Sequence, residues 1–199
     1  MPAASTPEPR STAHRNKRDQ STGRLRRAKL DAESIVREFG SRSGTRTVIG
    51  RFANLYGPGQ NLAKPQGLIS HLCRGYLLSM PISIYVPMDT LRDYVYVSDA
   101  AEMVVDSFTR AEASQEPTVT KIYASGRSVT IGAILGACHT VFRKRPNVVL
   151  ASSPLASAQA RDLRLRSIVW TDLDQRTHRP LPAGIASTLD SIRRNLAAR

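Results

Sequence analysis

The feature that most constrains this chain is an alternation of β-branched runs with segments whose apolar residues recur at helical spacing. Residues 45–52 are rich in β-branched side chains and read as a buried strand. Gly57, Pro58 and Gly59 punctuate the loop over 56–65 that follows. Residues 66–80 return to a helical pattern, and 82–86 and 93–97 read as short strands. Ser98 and Asp99 then stand where a helix running to about residue 110 would be capped, with Glu102 completing a capping box. A strand over 121–124 precedes a helix over 130–145 with Ile131, Ile134, Leu135, Cys138 and Phe142 on one face. Residues 147–151 form a further strand, 152–166 are irregular, and a last helix occupies 186–197. Strands alternating with helices predict an α/β domain. The chain has no internal repeat.

The amino-terminal part has a different character. Residues 1–23 carry Pro2, Pro7 and Pro9 and, over 1–21, almost nothing apolar larger than alanine, so they read as a disordered basic arm ahead of a domain over 24–199. From Arg24 onward Leu25, Ala28, Ala32, Ile35, Val36 and Phe39 fall at three- and four-residue intervals, one apolar stripe on a helix ending between Gly40 and Gly44.

Net charge is +13, and the first 29 residues hold eight Arg and Lys against Glu8 and Asp19. Such a balance favours polyanionic partners, so nucleic acid or another polyanion bound through the arm is one reading of the chain. The arm has no aromatic residue to stack on bases, which counts against single-strand recognition. Cys73 and Cys138 sit alone in apolar helical patterns, without metal-ligand spacing, and read as buried thiols. No apolar run reaches the roughly 18 residues of a membrane span, no signal-peptide core is present, and the cytoplasm is the expected compartment.

Two segments carry a more specific signal: RFANLYGPGQ at 51–60 and LRDYVYVSDAA at 91–101. Together they resemble the NAD-dependent epimerase/dehydratase family, the extended short-chain dehydrogenases that modify nucleotide sugars. The resemblance covers about 28–197, with Thr130-Ile131 and the LPAGI segment at 181–185 as further landmarks. It implies the C-terminal portion of that fold: a substrate-binding lobe with the last Rossmann elements. It also implies roles for particular residues. Asn54 matches an asparagine that faces the nucleotide sugar, where an amide both donates to and accepts from sugar hydroxyls or phosphate. The alternative for Asn54 is that it pins the loop through backbone hydrogen bonds. Arg92 matches the arginine that grips the substrate diphosphate, a task suited to a planar guanidinium; a surface ion pair with Asp93 is its alternative. Gln159-Ala160-Arg161-Asp162 lies where the family shows an Arg-Pro-x-Asp-like run, making Arg161 a candidate phosphate contact beside Arg164 and Arg166. For Asp99 only a capping role is expected.

The same resemblance locates what these residues lack. The family couples a tyrosine base to a lysine one helical turn later. Lys29 occupies the lysine position, and Leu25, which has no proton to exchange, stands where the tyrosine belongs. Lys29 is therefore a remnant rather than a working catalytic group. Tyr56 and Tyr94 lie near the motifs, but no sequence argument places either beside a nicotinamide. The glycine-rich strand-to-helix turn that holds a dinucleotide is not encoded before Lys29, so no cofactor is expected for this chain alone, although the family uses NAD. A resemblance that begins inside a catalytic helix reads as truncation, fusion or a change of reading frame. Without the preceding Rossmann elements, Ile35, Val36, Val48 and Ile49 are expected to lose cover, favouring self-association or a separate Rossmann-containing chain. The expectation is a degenerate epimerase/dehydratase retaining at most nucleotide-diphosphate-sugar binding, or one active only with such a partner chain.

Overall fold

The computed structural model describes residues 12–151 and 160–198. In chain order the elements are α1 (Thr12–Ser43), β1 (Thr47–Phe52), β2 (Asn54–Tyr56), α2 (Leu68–Leu77), β3 (Ile82–Ile84), β4 (Leu91–Tyr96) and α3 (Val97–Glu112). They are followed by β5 (Thr118–Tyr123), β6 (Ser128–Thr130), α4 (Ile131–Phe142), β7 (Val148–Leu150), β8 (Asp162–Leu163), a 3-10 turn at Thr171–Asp174, and α5 (Leu181–Ala197). The chain is α/β, as its alternating pattern predicts.

Three small sheets organise the described residues. β1 and β5 form a parallel pair in register from Thr47–Thr118 to Phe52–Tyr123. β4 is the centre of a second sheet, parallel to β2 and β8 and antiparallel to β6. β3 and β7 pair in parallel. The main core lies under the second and third sheets, where α2, α4 and α5 pack on one another. Ile69, Leu72 and Cys73 from α2 meet Ile134, Cys138 and Phe142 from α4 and Ile185, Leu189 and Ile192 from α5. These are helical spacings, so one face of each helix is buried. Both cysteines are fully buried and unpaired, as read from the sequence. Burial pushes the Cys138 thiol up to about 12 and raises that of Cys73 further.

The β1–β5 pair is held between α1 and α3. Parallel strands are stable when both faces are covered. Thr47, Ile49 and Arg51 share the strand face that α1 covers, and Ile49 is accordingly buried at 8% exposure, with Val48 half-buried. The expected loss of cover at these two strand residues is thus corrected: α1 and α3 supply it. The helix residues behave as expected. α1 docks by a polar side, with Gly40 buried against Thr47 and Thr118, Arg37 donating to Thr120 Oγ1 at 2.5 Å, and Arg51 clasping Glu33 through two bonds of 2.9 and 2.6 Å. The apolar stripe therefore points away from the body: Leu25, Ile35 and Phe39 are 61%, 67% and 55% exposed.

Several boundaries differ from the sequence reading. α1 begins at Thr12, so helix occupies residues 12–23 of the stretch expected to be a disordered arm; Arg, Lys, Ala and Gln there are good helix formers, and the prolines all lie before it. Residues 1–11 lie outside the described residues. α3 begins at Val97 after an extended Tyr96 with no side-chain cap, so the capping box at Ser98, Asp99 and Glu102 does not form. Asp99 instead accepts from the Arg179 backbone N–H at 2.7 Å, tying α3 to the segment that enters α5. α5 starts at Leu181, five residues earlier than expected, because Pro182 suits a first helical turn.

Candidate functional site

The two motif segments meet at the second sheet. β2 carries Asn54 and lies against β4, with Asn54 opposite Tyr94. The Asn54 amide Nδ2 donates to the Asp93 carbonyl at 2.8 Å, so the side chain does pin its loop, using only the amide N–H for that purpose. Asp93 is fully buried, and its Oδ1 accepts from the Ser125 backbone N–H at 2.8 Å. Next to it Arg92 is 9% exposed, and its Nη1 donates to the carbonyls of Leu91 and Ala160 at 2.8 and 2.9 Å. The guanidinium is thereby oriented by backbone on both β4 and the segment leading into β8.

Asn54 and Arg92 line one cavity of about 480 Å3, walled by Leu68 and His71 of α2, residues 81–86 around β3, Tyr94, and Ile131 of α4. A volume in this range is typical of small-molecule sites. The floor is fixed in several ways. His71 Nε2–H donates to the Lys64 carbonyl at 2.9 Å, holding the loop after the Gly-Pro-Gly turn against α2. Gly67 enters α2 at φ 99°, a conformation costly for any residue with a Cβ, and the Gln60 side chain crosses over it while accepting from Ser70 Oγ at 2.6 Å. A second cavity of about 380 Å3, bounded by Phe52, Leu55 and Gln66, shares Asn54, Leu68 and Tyr94 with the first. Asn54 lies at the junction of the two, lining both.

The cleft offers polar recognition and a cation, and its tyrosines are not poised as bases. Burial pushes the Tyr94 phenol up to about 12 although the nearby Arg92 charge pulls the other way. Tyr56 is raised to about 12 by burial, with the Asp99 carboxylate adding to it. A general base needs a pKa near the working pH, so both tyrosines are set in the wrong direction. Tyr56 has a structural role: its ring stacks edge-on with those of Tyr94 and Tyr96, and Arg179 lies 4.4 Å above the Tyr96 ring.

The other candidates are elsewhere. Arg161 pairs with Asp89 at 2.8 Å, both largely exposed, and is not among the residues lining the cleft. Its backbone carbonyl accepts from Leu91 N–H at 2.7 Å, so the segment serves β4 as a strand. Arg164 is clasped by Asp162, and Gln159 lies outside the described residues. Lys29 is exposed on α1, one turn after the exposed Leu25. Sequence reading missed Leu68, His71 and Tyr85 as cleft residues, since a helix start and a strand end carry no pattern that announces a wall.

The described residues do not fit a dinucleotide. The positive-φ glycines among the described residues are Gly44 between α1 and β1, Gly57, Gly59 and Gly67 between β2 and α2, and Gly126 after β5. Gly57 and Gly59 follow β2 directly but stand well ahead of α2 at Leu68, so they do not make the tight strand-to-helix turn that such a cofactor needs. Among the described residues no cluster of His, Cys, Asp and Glu suits a metal ion, and no helix is long and apolar enough to cross a membrane.

Comparison with known proteins gives this geometry a context. The model of the NAD-dependent epimerase/dehydratase family matches residues 3–122, beginning inside the arm that the sequence pattern sets apart. No curated protein matches the chain. Among solved structures, MoeE5 in complex with UDP-glucose and NAD is 25% identical, with a TM-score of 0.66 over 84% of this chain and 54% of that one. The UDP-glucose 4-epimerase of Thermus thermophilus in complex with NAD is 25% identical, with a TM-score of 0.63 over 81% and 51%. The UDP-N-acetylglucosamine 4-epimerase of Methanobrevibacter ruminantium M1, bound to UDP-N-acetylmuramic acid, shares the fold at 20% identity and a TM-score of 0.68, over 83% and 52%. The chain thus spans about half the length of the solved chains it matches.

Proposed function

The chain belongs to the NAD-dependent epimerase/dehydratase family, and from that premise we propose that these residues form a nucleotide-diphosphate-sugar-binding lobe without hydride-transfer chemistry of its own. The observation that carries the reading is that Asn54 and Arg92, drawn from two separate motifs, line a single cavity of about 480 Å3. In this reading Arg92 takes the diphosphate, because a guanidinium presents paired donors to phosphate oxygens. Asn54, at the junction of the two cavities, takes a sugar hydroxyl through its amide oxygen. The exposed Tyr85 and the apolar Leu68 and Ile84 supply a slot for the base. Arg161 has a peripheral role at most, since Asp89 already neutralises it. Leu25 in place of a base, and tyrosines raised to about 12, support the absence of proton abstraction by these residues.

A thermal-shift experiment tests the proposal. UDP-glucose should raise the melting temperature of the chain, and NAD should leave it unchanged. A response to NAD alone, or to neither, would contradict it.

Two observations favour a second reading, in which a Rossmann-containing chain completes an active enzyme. α1 presents an apolar stripe outward, and β1 has no strand partner on its second edge among the described residues. Hydride transfer to NAD appearing only on mixing with such a chain would support it over the first.

A further inference from the structure

A polar cavity of about 360 Å3 lies between the Gly57–Ala63 loop, α2 and the last turns of α5; it shares no lining residue with the cavity of Asn54 and Arg92, and only Gln60 with the second cavity beside it. Its polar side chains are Gln60, Asn61, Ser70, Arg74, Ser191 and Asn195, and no carboxylate is among its lining residues. Arg74 is half-buried in the last turn of α2. It donates one long bond, 3.4 Å from Nη1 to the Leu62 carbonyl, and forms no ion pair among the described residues. A guanidinium offers five N–H donors, so most of its capacity is unused. A partly buried guanidinium without a counter-charge gains by pairing with an anion from solution.

The neighbours have the complementary chemistry. Asn61 uses its Oδ1 to accept from the Ala63 N–H at 2.9 Å, and Gln60 uses its Oε1 to accept from Ser70. Both amides are thus committed through their oxygens, leaving NH2 groups, which only donate. Ser191 and Asn195, one helical turn apart on α5, complete the opposite wall. Donors around a lone guanidinium suit an oxyanion, and the volume exceeds what inorganic phosphate alone would fill.

We propose that this cavity is a second ligand site, built on Arg74, that binds a small oxyanion of the phosphate-monoester class independently of the nucleotide-sugar cleft. The full chain should gain thermal stability from inorganic phosphate and, at lower concentration, from glucose 1-phosphate, against sodium chloride matched in ionic strength. Arg74→Ala should abolish both shifts, whereas Arg92→Ala should keep them. Should Arg74→Ala fail to fold, Asn195→Asp, which puts a negative charge on the exposed wall, should weaken the phosphate response at least tenfold. No shift beyond the chloride control would overturn the proposal. So would a shift that survives both Arg74→Ala and Asn195→Asp, or one lost in Arg92→Ala.

Discussion

The Asn54 amide and the Asp93 carbonyl are joined by a hydrogen bond of 2.8 Å, which locks the first sequence motif onto the second. The consequence is mechanical as well as chemical. Arg92 and Asn54 flank the same point of β4, so any change that loosens β2 displaces one cleft residue relative to the other. Asn54→Ala should cost about 1 kcal/mol of stability, the usual worth of one such bond, measured by urea denaturation. A loss several times larger would mean that Asn54 supports the fold beyond this contact.

Gly184 has no room for a side chain. A Cβ there would lie 2.7 Å from Tyr56 Cε2 and collide with the phenol oxygen. Gly184→Ala should lower stability by about 1–3 kcal/mol through overpacking and disturb the tyrosine cluster beneath the Gly-Pro-Gly turn. Near-ultraviolet circular dichroism should register the change; an unaltered tyrosine signal would contradict the packing described.

The docking of α1 should weaken in acid. The Arg51 guanidinium holds the Glu33 carboxyl below its ordinary value of 4.5. A depressed carboxylate contributes stability above its unfolded pKa and loses it as pH falls through the folded one. Both groups are partly exposed, so the effect is small. Amide hydrogen exchange along α1 should accelerate as pH drops below about 4.5, beyond the intrinsic pH trend, and Arg51→Ala should bring the accelerated state to neutral pH. Equal protection in wild type and variant would show that the pair does not hold the helix.

How much of this was legible from the sequence depended on the origin of each signal. α2 and α4 were readable because one face of each is buried, and burial leaves its period in the residues. β2, β6 and β8, two or three residues long, left no such trace, since they exist only by pairing with β4. The cap at Asp99 misled for a related reason: its carboxylate binds Arg179, distant in sequence, in preference to its own helix. Asn54 and Arg92 were legible as motif positions, but their convergence on one cavity needed the fold. Arg161 shows the converse, because its partner Asp89 lies 72 residues away and nothing local announces it.

The raised thiols give another check. Cys73 and Cys138 are buried, and only the thiolate reacts. Neither should react with a thiol-specific disulfide reagent at pH 8 in the native state, and both should react on denaturation. Rapid modification of either in the native chain would mean that the α2–α4–α5 core opens readily.

The most direct test is calorimetric titration of UDP-glucose into the chain, in wild type, Asn54→Ala and Arg92→Ala. One site is expected in wild type, with affinity falling roughly tenfold or more in Arg92→Ala, as loss of a charge-assisted phosphate contact requires, and less in Asn54→Ala. No binding by a folded wild-type chain, or binding untouched by both substitutions, would contradict it.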